Sequence, residues 1–241
     1  RRAVTFLNVP PFTQLGSSSF SDIDTIQNLQ NYLECAAINN DRFVFAFFND
    51  NTNNVEYSIH QSSRNQIFGP TILEGVGTSP DSEIAVTALN QDRFAVAWYD
   101  AGEDIVRMKI ITSENVAITP GLVVVDTGLT TGTRIATATV GDENGDRFVV
   151  AWRDASGRIV AKVYAYDDTF GVPLSGPSAI ILANDVSSSQ LLFDVFGKDS
   201  LSGIGLCDGK FILGYTSTSN EVLVRRFKID KKYFTLKDNT L

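Results

Sequence analysis

The segment "GDENGD" at 141–146 sets three oxygen-bearing side chains, Asp142, Asn144 and Asp146, at alternate positions. Many loops use this 1-3-5 spacing to offer oxygens to Ca2+, a hard cation that prefers oxygen ligands. The same residues also make a Gly-containing hairpin turn with a solvated acidic tip, and that plainer reading is preferred. Calcium is the one cofactor the sequence brings into view. Other chemistry is sparse. Glycoside hydrolysis needs carboxylates that converge, and the inner strands proposed below offer only Glu34 and Glu83. Asp100 and Asp154 recur at one place in a repeated segment, with Asn49 and Ser217 at the matching sites, and are expected to bond the turn backbone rather than to catalyse. His60, the single histidine, has no Cys or second His near it in sequence, so a surface or cross-strand role is expected. Arg225, Arg226, Lys228, Lys231 and Lys232, taken with Arg1 and Arg2, form the only basic concentration. They read either as a solvated edge or as an electrostatic contact with an acidic protein neighbour.

Bulk composition narrows the classes. The chain has 241 residues, 43% hydrophobic and 20% charged, with a net charge of −8. That acidity argues against a nucleic-acid backbone as partner. No apolar run reaches the roughly 18–20 residues of a membrane span. Two cysteines are too few for a disulfide scaffold. On repeat alignment Cys35 and Cys207 fall four positions apart, roughly 13 Å along a strand, so two buried thiols are expected rather than a bridge. The opening "RRAVTFLNV" shows no signal peptide and no Asn-x-Ser/Thr sequon occurs.

The elements that must position any site come from a repeat. "RFVFAF" (42–47), "RFAVAW" (93–98), "RFVVAW" (147–152) and "KFILGY" (210–215) align without gaps. Each runs basic, Phe, two apolar, small, aromatic, with almost no polar face, as befits a strand buried on both sides. An apolar stretch and an Asn/Asp/Gly turn precede each copy. A second turn and an alternating strand ("VEYSIHQ", "IVRMKII", "IVAKVYAY", "VLVRRFKI") follow. A fourth strand comes after a longer loop ("PTILEG", "GLVVVDTG", "SAIILAND"). Four strands per unit of roughly 50–60 residues resemble the blades of β-propellers.

The expected fold is therefore all-β, a four-bladed propeller. Its blades lie near 33–74, 83–126, 133–184 and 201–230, the last completed by the N-terminal strand at 1–9 so that no edge is left open. A five-bladed ring or a β-sandwich is the alternative, since 17–32 and 185–200 read as irregular insertions or short helices. The 1–9 strand could instead complete a neighbouring copy, the less favoured arrangement, which would be self-association by strand addition.

The "GDENGD" turn resembles the calcium-binding turn of FG-GAP propeller repeats over about a dozen residues. It departs from that pattern where Arg147 and Val150 replace the later Gly and Asp, and the other three turns lack it. "RDASGRIV" does not match the box of sialidase-type propellers. The function expected from the residues is a non-catalytic structural or protein-interaction module at the cell exterior or surface, including as a subunit of an assembly or filament. The alternative is a carbohydrate-binding or carbohydrate-active propeller using aromatics such as Tyr99 or Phe48.

Overall fold

A computed structural model describes residues 4–8, 13–18, 33–39, 41–49, 52–61, 63, 65–75, 83–89, 92–117, 123–129, 134–140, 147–166, 173–175, 179–187, 193–196, 209–230 and 235–238. Among them every regular element is a strand. A hairpin of β1 (Val4–Asn8) and β2 (Thr13–Ser18) opens the chain. The first large sheet holds β3 (Leu33–Ala37), β4 (Arg42–Asn49), β5 (Asn54–Gln61) and β6 (Gln66–Gly75) in sequential antiparallel order. The second holds β7 (Ile84–Leu89), β8 (Arg93–Asp100), β9 (Ile105–Thr112) and β10 (Val123–Thr127). The third holds β11 (Ile135–Val140), β12 (Arg147–Arg153) and β13 (Ile159–Tyr166), whose free edge pairs with both β14 (Pro173–Ser175) and β15 (Ile180–Ala183). The fourth holds β16 (Phe193–Phe196), β17 (Lys210–Thr216), β18 (Val222–Asp230) and β19 (Thr235–Asp238).

The repeated segment is the second strand of each large sheet. β8 is buried along its whole length, a pattern that requires a neighbour on both faces. The neighbours are the adjacent sheets. Phe94, Val96 and Trp98 of the second sheet pack on Val44, Ala46 and Tyr57 of the first. Phe148, Val150 and Trp152 of the third pack on Ala95, Ala97 and Met108 of the second. Phe211, Leu213 and Tyr215 of the fourth pack on Val149, Ala151 and Val163 of the third. Small residues on one face thus receive the aromatics of the next sheet, as interdigitating cores demand. Phe94, Phe148 and Phe211 are fully buried, while Phe43 is half-buried at the start of the series.

Register makes the sheets superimposable. Trp98 faces Arg107, Trp152 faces Val160 and Tyr215 faces Leu223, so Lys109, Lys162 and Arg225 occupy one equivalent position two residues on. The series stops at the fourth sheet. Val222 and Val224 hold the places of Ile159 and Ala161, yet they are 78% and 64% exposed where the latter two are fully buried.

Three expectations are corrected. The N-terminal strand does not complete the last sheet. Val4 pairs with Ser18, and Thr235–Asp238 supplies the fourth strand, with Asp238 opposite Phe227. Both pairings close loops of a few residues, which costs far less chain entropy than joining the two ends of the polypeptide. The first strand of the fourth sheet is Phe193–Phe196, with Asp194 opposite Gly214, in a stretch read from sequence as irregular or helical. The apolar "FDVF" alternates only over four residues, too few for periodicity to reveal. Cys35 is exposed, not buried. It lies on the innermost strand of the first sheet, and Cys207 falls outside the described residues.

Candidate functional site: the junctions between sheets

The turn after each repeated strand explains the recurrent polar residues. Asp154 Oδ1 accepts from the backbone N–H of Ser156 and Arg158, at 3.0 and 2.9 Å. Its Oδ2 takes the Arg158 guanidinium at 2.6 Å. Gly157 supplies the left-handed φ of +78° that this turn requires. Asp100 accepts from Gly102 N and from Arg107 Nε. Ser217 Oγ accepts from Glu221 N, and Asn49 Nδ2 donates to Glu56. These are turn-holding groups, as their recurrence suggested. His60 is likewise structural. It is buried, stacks on its cross-strand partner Phe43 with ring centroids 5.4 Å apart, and meets Ser58 Oγ at 2.9 Å.

A different constellation recurs where one sheet's last strand meets the next sheet. Between the second and third sheets, Trp152 Nε1 donates to Asp126 Oδ2 at 2.7 Å and Lys162 Nζ donates to Val125 O at 2.8 Å. Between the third and fourth, Tyr215 OH donates to Asp185 Oδ1 at 2.7 Å and Arg225 Nη1 donates to Leu182 O at 3.2 Å. The Arg225 guanidinium also lies 5.5 Å from the Tyr215 ring centroid and 3.6 Å from Asp185. Each site thus has a carboxylate, an aromatic donor and a cation. The aromatic is buried, whereas the carboxylate and the cation remain partly open to solvent. Burial, then the charge of Asp126, holds the Tyr164 hydroxyl well above its ordinary range, so that group stays protonated at the junction of the second and third sheets.

At the first junction the aromatic and the cation are present as Trp98 and Lys109, but neither is engaged. Among the described residues the Trp98 indole nitrogen is buried without a hydrogen-bond partner, and Lys109 makes no hydrogen bond or ion pair. Glu74 stands opposite Val55, at the register position that Asp126 holds opposite Val106. The far rim of this junction is instead well pinned. Asn39 Nδ2 donates to Asp92 at 2.9 Å, Tyr57 OH donates to Asn115 at 2.6 Å, and Arg42 reaches Ser113 O and the Glu114 carboxylate.

Glu83 ties the innermost strands of the second and third sheets together. Its Oε1 takes Arg134 Nε at 3.0 Å, and its Oε2 accepts from Ile135 N at 3.1 Å. Burial pushes its carboxyl up to about 7, opposed by Arg134 and by the Ile135 N–H and reinforced by the charge of Glu34. The two carboxylates singled out in the sequence are therefore close enough to interact, with one of them clamped to an arginine.

The predicted site residues scatter. Arg225 belongs to the junction described above, Arg226 is half-buried with an unpartnered buried Nε, and Lys228 is exposed. Arg1, Arg2, Lys231 and Lys232 lie outside the described residues, as do Asp142, Asn144 and Asp146. Among the described residues no group of three or more His, Cys, Asp or Glu is placed to hold a metal ion. Tyr99 and Phe48, the aromatics named for sugar stacking, are buried in the inter-sheet cores and present no ring to solvent. Sequence reasoning passed over Asp126, Lys162 and Asp185. The only signal was an aspartate following the apolar run in both "VVVDTG" and "LANDV", at positions that a gapless alignment does not superimpose.

No protein-family model matches the chain, and no curated protein sequence matches it; the resemblance of the "GDENGD" turn to FG-GAP repeats gains no support. Solved structures do match. The SapL1 lectin in complex with α-methyl fucoside superposes with a TM-score of 0.56 over 87% of this chain, at 13% identity. The fungal lectin of Aleuria aurantia, described as a six-bladed β-propeller with a novel fucose recognition mode, gives 0.54 over 88% at 10% identity. A putative 6-phosphogluconolactonase from Bacteroides uniformis gives 0.55 over 98% at 14% identity. The fold is that of a β-propeller. The chain spans 63%, 64% and 62% of the lengths of these three structures. Its four-stranded sheets are blades, and the junctions above lie between blades. The likeness overturns the expectation of a non-catalytic structural or protein-interaction module, because the solved propellers that share this architecture include lectins that recognise fucose. Among the described residues no helix is long and apolar enough to cross a membrane.

Proposed function

We propose that this chain is a carbohydrate-binding β-propeller that takes saccharide hydroxyls at the rims of its blade junctions. The observation that carries the reading is a buried aromatic donor beside a partly exposed cation at each junction, as Trp98/Lys109, Trp152/Lys162 and Tyr215/Arg225, on a fold shared with fucose-recognising lectins. A sugar offers vicinal hydroxyls that each donate and accept. An aromatic N–H or O–H beside a cation offers donors to such an oxygen wherever no carboxylate of the preceding blade has taken them. The reading places the protein at the cell exterior or surface, where such glycans are displayed.

A glycan microarray probed with the labelled full chain tests it. Binding to a restricted set of glycans is expected, and free α-methyl fucoside or another array-selected monosaccharide should compete at high micromolar to millimolar concentration. An array with no ligand above background, from a chain that melts cooperatively, ends this reading.

A further inference from the structure

The three junctions are built alike, but their donors are not equally spent. In the second and third junctions the aromatic donor is bound by an aspartate of the preceding blade, and the cation by a backbone carbonyl of that blade. In the first, Trp98 and Lys109 sit on the same face of the second blade, as register with Val96 and Arg107 requires. That face packs against the first blade. Trp98 is fully buried and its N–H has no acceptor, although a glutamate stands at the position of Asp126. Lys109 is partly exposed and makes no bond. Its neighbour Arg107 is already committed to Asp100 and Glu103. A buried donor with no acceptor is a standing cost that an incoming oxygen relieves.

We propose that the first junction is where a saccharide oxygen seats, with the Lys109 ammonium and the Trp98 indole N–H as its donors, giving one such ligand per chain. The other two junctions are already closed by their own aspartates. The inference rests on the carbohydrate reading above and sharpens it to one of three equivalent positions. The acceptor is a hydroxyl oxygen of a neutral sugar; a uronate carboxylate offers the same acceptor chemistry, and the test separates the two.

The test uses the full chain carrying Trp152→Phe, which leaves Trp98 as the sole tryptophan, titrated with methyl α-fucoside and, separately, methyl α-glucuronide. A saturable change in Trp98 emission with the neutral sugar at one equivalent is expected. Calorimetry on the otherwise unaltered chain supplies the second readout. There Lys109→Met should weaken binding at least tenfold with no change in melting temperature, while Lys228→Met, at an exposed lysine outside the junctions, should leave the affinity within twofold. Sugar binding that leaves Trp98 emission unmoved, or that survives Lys109→Met within twofold, overturns the assignment and spares the carbohydrate reading. A response to the glucuronide alone overturns the hydroxyl assignment. Absence of binding by the unaltered chain to any array glycan removes both readings together.

Discussion

Trp152→Ala is expected to destabilise the protein by about 3–5 kcal/mol, the range for emptying a buried aromatic site. The indole is fully buried in the core between the second and third blades. Its removal leaves a cavity at the junction and also strips Asp126 of its 2.7 Å donor. Trp152→Phe keeps most of the ring and should cost about 1–2 kcal/mol, chiefly for the lost charge-assisted hydrogen bond. Against a total stability on the order of 5–15 kcal/mol, the alanine variant should melt many degrees lower. Urea unfolding followed by circular dichroism checks the pair. A loss below about 1 kcal/mol for the alanine variant would mean that the junction relaxes and that the blades are not locked by these aromatics.

Glu83→Gln is expected to change the pH dependence of stability more than any other single substitution among the described residues. The folded protein holds the Glu83 proton up to about 7, from an ordinary value of 4.5, and the side chain is only 12% exposed. The folded state therefore binds that proton more tightly than the unfolded chain does. The contribution from protonation is complete below about pH 4.5 and is lost as pH rises through about 7. Over that window it amounts to roughly 3 kcal/mol. Glutamine cannot ionise, yet its amide oxygen can still accept from Ile135 N. The variant should thus lose the decline between pH 4.5 and 7 and stand above the native protein at pH 8. Parallel slopes of unfolding free energy against pH for the two proteins would show that Arg134 and the backbone donor already compensate for the burial.

The repeat made much of the architecture legible before any coordinates. The segments beginning at Arg42, Arg93, Arg147 and Lys210 all fall on the second strand of a four- or five-stranded sheet. Their aromatics fill the inter-blade cores because small residues alternate with large ones at fixed positions, a pattern that residue order alone carries. The order at the chain ends was not legible. Pairing of Val4–Asn8 with Thr13–Ser18 depends on loop entropy, to which similarity between strands is blind. Nor was the site. Asp126 and Asp185 sit one position and two positions past the buried Val125 and Ala183, so gapless alignment does not bring them together. Only the fold shows each carboxylate meeting an aromatic of the next blade. Conversely, Tyr99 and Phe48 looked available for sugar stacking, because a residue on a strand buried on both faces cannot be told from one at an exposed rim by type.

The central claim is that equivalent junctions differ in whether a carboxylate closes them, and indole N–H resonances report this directly. In a two-dimensional spectrum of the 15N-tryptophan-labelled protein, the Trp152 indole proton should be strongly downfield, and Asp126→Asn should shift it while leaving Trp98 in place. The Trp98 indole proton should lie upfield of it and be the one that moves when a bound saccharide is added. Two indole signals that match in shift and respond alike to Asp126→Asn would contradict the account.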